Sequence, residues 1–236
     1  MMHVEVLPDP AAVAHAASAL VAREARAAVA LRQQFTLAVS GGHTPLPMLR
    51  AFAGEDVPWS AIQIFQVDER VAPEGDDDRN LTQLHAALLA HAPIAASQIH
   101  AMPVASSDLE SAAASYAAIL RAVAGSPAVL DMALLGLGAD GHTASLLPGD
   151  PVLDITDRDV ALAGPYEGRR RMTLTYPVLN RARHVLWMVT GQDKADALLR
   201  LFSGDARIPG GRVEQRNAQV FADRAAARRL KRASAN

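Results

Sequence analysis

Apolar residues along the chain fall into two alternating kinds of run. Between Asp9 and about Gln33, the residues Val13, Ala17, Leu20, Ala28 and Leu31 recur at helical spacing. Asp9 followed by Pro10 reads as the N-cap and first position of that helix. FTLAVS (35–40) is short, apolar and partly β-branched, and it stops at Gly41-Gly42, the pattern of a buried strand. Thr44-Pro45 restarts a helix as N-cap and first residue, with Leu46 and Leu49 turned inward. IQIFQVD (62–68) is the next strand, and a long polar loop follows it to Asn80. Asn80 caps a helix running to about His91, and Asp108 caps another to about Ala124. VLDMALLGLG (129–138) is a strand entering a glycine turn. The stretch from Gly149 to Arg171 is polar, with one strand-like piece at Val160 to Ala163. HVLWMVTG (184–191) is a further buried strand leading into a helix through Phe202. Residues 218–222 make a last short strand, and Asp223 opens a terminal helix.

Strands alternating with helices predict a three-layer, Rossmann-like α/β protein, with helices on both faces of a mostly parallel sheet. No internal repeat or composition break divides the chain, so a single domain over residues 1–236 is expected. Composition then removes several function classes. Half the residues are hydrophobic, enough for a sizeable core, and the net charge of −2 lacks the basic excess of a nucleic-acid protein. Absence of cysteine excludes disulfides, thiolate metal sites and cysteine nucleophiles. No apolar run approaches the ~20 residues that span a bilayer, and MMHVEVLPDP does not read as a signal peptide, so a cytoplasmic location is expected. The basic end RRLKRASAN reads as a solvated helix terminus.

In an open parallel sheet, ligands bind beyond the carboxyl ends of the strands. The residues expected there are Ser40-Gly41-Gly42-His43-Thr44, then Asp68-Glu69-Arg70, then the turn Gly136 to Thr143, then Gly191 with Lys194 three residues on. The Ser-Gly-Gly-His-Thr turn suits a phosphate, since glycines admit an anion close to the backbone and a following helix N-terminus points N–H groups at it. Ser40 and Thr44 add hydroxyls. It is neither a P-loop nor a dinucleotide fingerprint, and Gly136-Leu137-Gly138 lacks the third glycine, so nucleotide cofactors are disfavoured. Arg70 and Lys194 are candidates for a phosphate's charge. Lysine occurs only at Lys194 and Lys231.

His142 is the candidate for proton transfer, because imidazole takes and gives protons near neutral pH. Asp140, two residues earlier, either orients it or caps a helix. A metal held by Asp140, His142, His43 and Asp68 is the rival use, but no H-x-x-x-H or H-E-x-x-H spacing supports it. Ser145 lacks the Gly-x-Ser-x-Gly context of a nucleophile and is expected to cap or pack.

Taken in order, LAVSGGHTPLPMLR, FQVDERVAPEGDDDRN, LLGLGADGHTASLLPG, RRRMTLTYPVLNRAR, the Gly191–Lys194 segment and QVFADRAAARRL resemble the 6-phosphogluconolactonase family over nearly the whole chain. The resemblance implies hydrolysis of 6-phospho-D-glucono-1,5-lactone, the second step of the oxidative pentose phosphate pathway, without metal or organic cofactor. It implies proton transfer by His142, with Asp68 and Arg70 at the substrate. Gly41 and Gly42 then belong to the phosphate-side loop, and Arg171 and Lys194 to the anionic end. The implied partner is a small sugar-phosphate lactone, with no nucleic acid, membrane or obligate protein partner. Two departures stand out: Leu147 where phenylalanine is usual, and Gly164-Pro165-Tyr166-Glu167-Gly168 where the family tends to a Lys/Pro-rich loop. The alternatives are a sugar-phosphate isomerase or deaminase of the glucosamine-6-phosphate type and a non-catalytic sugar-phosphate binder. Those deaminases carry an acidic residue just before proline, where this chain has Leu147 before Pro148.

Overall fold

A computed structural model describes residues 2–230 of the protein. The chain opens with β1 (His3–Leu7), an edge strand whose alternating polar residues hid it from a hydrophobic reading. Helix α1 (Pro10–Arg32) follows, with the Asp9 carboxylate accepting from the Ala12 N–H at 2.8 Å, as its N-cap position demands. Next come β2 (Phe35–Val39), α2 (Pro45–Phe52), β3 (Ile62–Gln66), β4 (Asp68–Arg70) and α3 (Asn80–Leu84), which continues as a π turn to Leu89. The middle of the chain forms β5 (Ile99–His100), α4 (Leu109–Ala124, capped by Asp108), β6 (Met132–Gly136) and the hairpin β7 (Val160–Tyr166) and β8 (Arg169–Leu174). It ends with α5 (Tyr176–Arg181), β9 (His184–Val189), α6 (Ala195–Phe202) and β10 (Ala218–Asp223).

Seven strands form one parallel sheet in the order β1-β10-β9-β6-β2-β3-β5. Alternate residues of each strand feed opposite faces. Leu37, Ile64, Met132 and Leu186 pack under α1 and α2, while Ala38, Phe65, Ala133 and Trp187 pack against α4, α5 and α6. This is the expected three-layer arrangement. From β2 the chain steps outward to β3 and β5, then returns to lay β6 on the other side of β2. That reversal opens a crevice beyond the carboxyl ends of β2 and β6.

A second, three-stranded antiparallel sheet, β4-β8-β7, lies beside this crevice. Val67 joins the two sheets: its N–H bonds to the Val39 carbonyl of the large sheet, and its carbonyl accepts from Leu174 of the small one. Asp68, Glu69 and Arg70 are therefore a strand of their own, where the sequence reading ran one strand through 68 and left 69 and 70 beyond it. The stretch 149–171 also holds more structure than the single piece expected, because β7 continues to Tyr166 and β8 begins at Arg169.

Two capping expectations change. Asn80 is the first residue of α3, not its cap. The carboxylate of Glu69 instead accepts from the N–H groups of Asn80 (2.7 Å) and Leu81 (2.9 Å). Thr44 has helical backbone angles and makes no capping bond; its hydroxyl lies 3.3 Å from that of Thr190. Asp223 ends β10 and opens the terminal helical segment as expected: its carboxylate accepts from the Ala226 N–H at 2.7 Å, ahead of a 3-10 turn over Ala226–Arg229. The end of the basic segment, residues 231–236, lies outside the described residues. No helix among the described residues is long and apolar enough to cross a membrane.

Candidate active site

The crevice at the β2–β6 reversal is a cleft of about 480 Å³. Of the site residues expected from sequence, Ser40, Gly41, Gly42, Asp68, Arg70, His142, Arg171 and Lys194 all line it. Asp140 stands behind His142 rather than on the wall.

The turn after β6 is built to hold that pair. The Gly138 N–H donates to the His142 carbonyl at 2.8 Å, and Gly141 closes the turn on the Gly138 carbonyl with a φ of +87°, natural for glycine. A Cβ on Gly138 would sit 2.2 Å from His142 Nδ1 and 2.5 Å from Asp140 Oδ1, so only glycine leaves room for both side chains. His142 Nδ1 lies 2.6 Å from Asp140 Oδ1, and the His142 backbone N–H donates to the same oxygen at 3.1 Å. With Nδ1–H given to a carboxylate, the acceptor nitrogen of a neutral ring is Nε2. Burial pushes the Asp140 carboxyl up, but the hydrogen bonds and charge of His142 outweigh it and hold it below the usual range. The alternative role for Asp140, as a helix cap, does not arise, since no helix starts there.

The small sheet supplies two of the cations. Arg70 on β4 is the direct cross-strand partner of Arg171 on β8, placing two like charges opposite each other on one face, an arrangement that is unfavourable without an intervening anion. The Nε of each is buried and makes no hydrogen bond among the described residues. Arg171 itself is 5% exposed. Burial lowers its pKa, Asp68 opposes that, and the charge of Arg70 reinforces it. Lys194 reaches the same cleft beside Asp193, with Nζ 3.2 Å from its carboxylate.

Asp68 lies two residues from Arg70 along β4, on the same face. Burial raises its pKa, against the hydrogen bond from Ser145 and the charges of Arg70 and Arg171. Ser145 Oγ donates to Asp68 Oδ2 at 2.6 Å, and Asn80 Nδ2 donates to Asp68 Oδ1 at 3.2 Å and to its carbonyl at 2.9 Å. Ser145 therefore does more than pack, and Asn80 belongs to the site. Sequence gave no signal for either, because their partner is 77 residues away for Ser145 and 12 for Asn80. Asn80 also explains Gly41: a Cβ there would come 1.8 Å from Asn80 Oδ1.

The loop after β2 differs from expectation in its donors. Ser40 spends its hydroxyl proton on the Leu134 carbonyl at 2.8 Å, so it ties β2 to β6 rather than offering that proton to a ligand. Pro45 and Pro47 remove two N–H groups from the first turn of α2, leaving the anion-binding capacity of this loop mainly to the residues before the helix. Among the described residues, no group of three or more His, Asp or Glu is arranged to hold a metal ion.

The family model for glucosamine-6-phosphate isomerases/6-phosphogluconolactonase matches residues 8–222 of the chain. The chain belongs to this family. It is similar to a 6-phosphogluconolactonase of Synechocystis sp., at 38% identity over 207 residues and 86% of each chain. A Mycobacterium tuberculosis 6-phosphogluconolactonase is 37% identical over 241 residues, which covers 96% of this chain and 98% of that one. The crystal structure of the 6-phosphogluconolactonase from Thermotoga maritima superposes with a TM-score of 0.85 at 25% identity, over 94% of this chain and 99% of that one. The family match runs through β2, β4, β6, β8 and β9, the strands that surround the cleft.

Proposed function

We propose that the protein hydrolyses 6-phospho-D-glucono-1,5-lactone to 6-phosphogluconate, the second step of the oxidative pentose phosphate pathway, with His142 moving the protons. One observation carries this reading: a single cleft holds both an aspartate-oriented imidazole and a cross-strand arginine pair with unpartnered nitrogens. Neutral His142 accepts a proton at Nε2 from the water that attacks C1 of the lactone. Asp140 balances the imidazolium that forms. That imidazolium then gives its proton to the ring oxygen as the C1–O bond breaks, which restores the neutral ring. The N–H groups of Gly138 and Gly141 are committed within their own turn, so neither is free to stabilise the charge that develops on the carbonyl oxygen. Arg70, Arg171 and Lys194 hold the anionic substrate, and this binding away from the reacting carbon fixes C1 at the imidazole.

The deaminase alternative asks for a carboxylate at the residue before Pro148. Leu147 stands there, 6% exposed, and a leucine relays no proton. The test is a pH-stat assay on freshly generated lactone, corrected for spontaneous hydrolysis and repeated with EDTA. Turnover unaffected by EDTA is expected, together with no ammonia from glucosamine 6-phosphate. Ammonia release without lactone turnover would reverse the assignment.

A further inference from the structure

The β7–β8 hairpin brings one aromatic side chain, unused by the mechanism, against two residues that line the cleft. The hairpin closes through Glu167-Gly168, with φ of +52° and +76° and Tyr166 paired to Arg169, a two-residue turn with both central residues in the left-handed region. Behind the turn, the pairing register shifts between Ala163 and Tyr166, at Gly164-Pro165. Pro165 brings no N–H to this break, and the Gly164 N–H is pinned to Asp150 Oδ2 at 2.8 Å. Such a shift re-aims the side chain that follows it. Here that side chain is Tyr166.

Its ring lies against both poles of the site. The ring centroid is 5.3 Å from that of His142 with the planes at 59°, within the range of a favourable aromatic contact. The Arg171 guanidinium carbon lies 5.2 Å from the same centroid, within cation–π range, and Arg171 Nη2 donates to the Tyr166 carbonyl at 3.2 Å. Each neighbour needs such a wall. The Asp140 bond fixes Nδ1 of His142 but leaves the ring free to rock about that contact. Arg171 faces the like charge of Arg70 across the strand pair, and an electron-rich ring face offsets part of that repulsion.

We propose that Tyr166 is a positioning residue, its ring setting the imidazole of His142 and the guanidinium of Arg171 in one fixed relation. The proposal rests on the lactonase reading above. No hydrogen bond among the described residues uses its hydroxyl, so the ring alone carries the role, and Tyr166→Phe should match wild type within about twofold in both kcat and KM. Tyr166→Ala removes the wall from both poles, and a fall of about tenfold in kcat with a similar rise in KM is expected. Tyr166→Leu, which restores bulk without an aromatic face, should recover kcat more than KM.

A residue that only steadies the hairpin would lower Tm and leave the kinetics of the folded enzyme unchanged. The same variants are therefore followed by 15N NMR of the histidine side chains, with the His142 signals identified by their loss in His142→Asn. The Nδ1–H form should dominate in wild type and Tyr166→Phe and give way to a mixture in Tyr166→Ala. Binding of 6-phosphogluconate, read by calorimetry, should weaken about tenfold in the alanine variant only. Wild-type kcat and KM in folded Tyr166→Ala overturn the proposal. Should the wild-type chain itself fail to hydrolyse the lactone, the proposed function falls; an unchanged imidazole spectrum and unchanged product binding would then overturn the positioning role separately.

Discussion

At the scale of single residues, the proposed chemistry rests on His142 and the carboxylate that orients it. Nδ1 of His142 is committed to Asp140, which in the proposed mechanism leaves Nε2 as the nitrogen that exchanges protons with substrate. His142→Asn should lower kcat by at least about a hundredfold while leaving KM and the far-ultraviolet circular dichroism near wild type. Asp140→Asn keeps the volume and an acceptor oxygen but loses the charge that balances the imidazolium, and a loss in kcat of about tenfold or more is expected. Gly138→Ala should resemble it, because the added methyl occupies the space of both partners. Asp68 has a different signature, in stability. Burial raises its folded pKa, so from about pH 4 upward the folded chain holds a proton that the unfolded chain has released. Stability therefore falls as pH climbs through the raised value, and the deficit persists at neutral pH. Asp68→Asn lacks this dependence. The difference Tm(Asp68→Asn) minus Tm(wild type) should be more positive at pH 7 than at pH 4, by differential scanning fluorimetry. A difference flat with pH would mean that the carboxyl titrates alike in both states.

Among the elements, the short helix α3 depends on a side chain from the neighbouring sheet. Glu69 is fully buried, and its carboxylate also accepts from Gln66 Nε2 (2.8 Å) and the Arg70 N–H (2.8 Å), with Arg79 Nε 3.1 Å away. Glu69→Ala strands the Arg79 charge and two helix N–H groups, and urea unfolding should report a loss of about 3 kcal/mol or more. Nothing in the sequence marked Glu69 as structural, since its partners gather from both ends of a polar loop. The elements legible in the sequence were those whose signal is local: the Asp9-Pro10 and Asp108 caps, the apolar strands β2, β3, β6 and β9, and the glycine turn that carries Asp140 and His142. β1, β8 and α5 were not legible. No residue of β1 is fully buried, and β8 begins with three arginines, of which Arg171 turns inward only because β4 lies opposite. The same limit applies within the site. Ser145, Asn80 and Tyr166 acquire their roles from contacts that only the folded topology creates.

Across the whole molecule, the two poles of the cleft ride on different sheets. The imidazole hangs from a turn of the large parallel sheet, and Arg70 and Arg171 from the small antiparallel one. Two arginines on directly opposed positions make the cleft a place where an anion adds stability. Saturating 6-phosphogluconate at about a hundred times its Kd should add about 2.7 kcal/mol, a rise of about 5–10 °C in Tm for a chain of this size. Arg171→Gln should show a smaller ligand-induced rise. A wild-type protein whose Tm ignores the phosphorylated acid would argue that the arginines serve only the fold. The small sheet meets the backbone of the large one at Val67, whose N–H serves one and whose carbonyl serves the other. Such a joint lets the arginine pair vary apart from the imidazole, while Lys194 and the 40–44 loop stay with the large sheet. The strand pair bearing the arginines can drift in sequence, or be exchanged for another hairpin with different pendant groups, while the machinery for splitting the ester stays where it is. Relatives that act on other charged sugars are then to be sought first among chains that differ on that side of the seam.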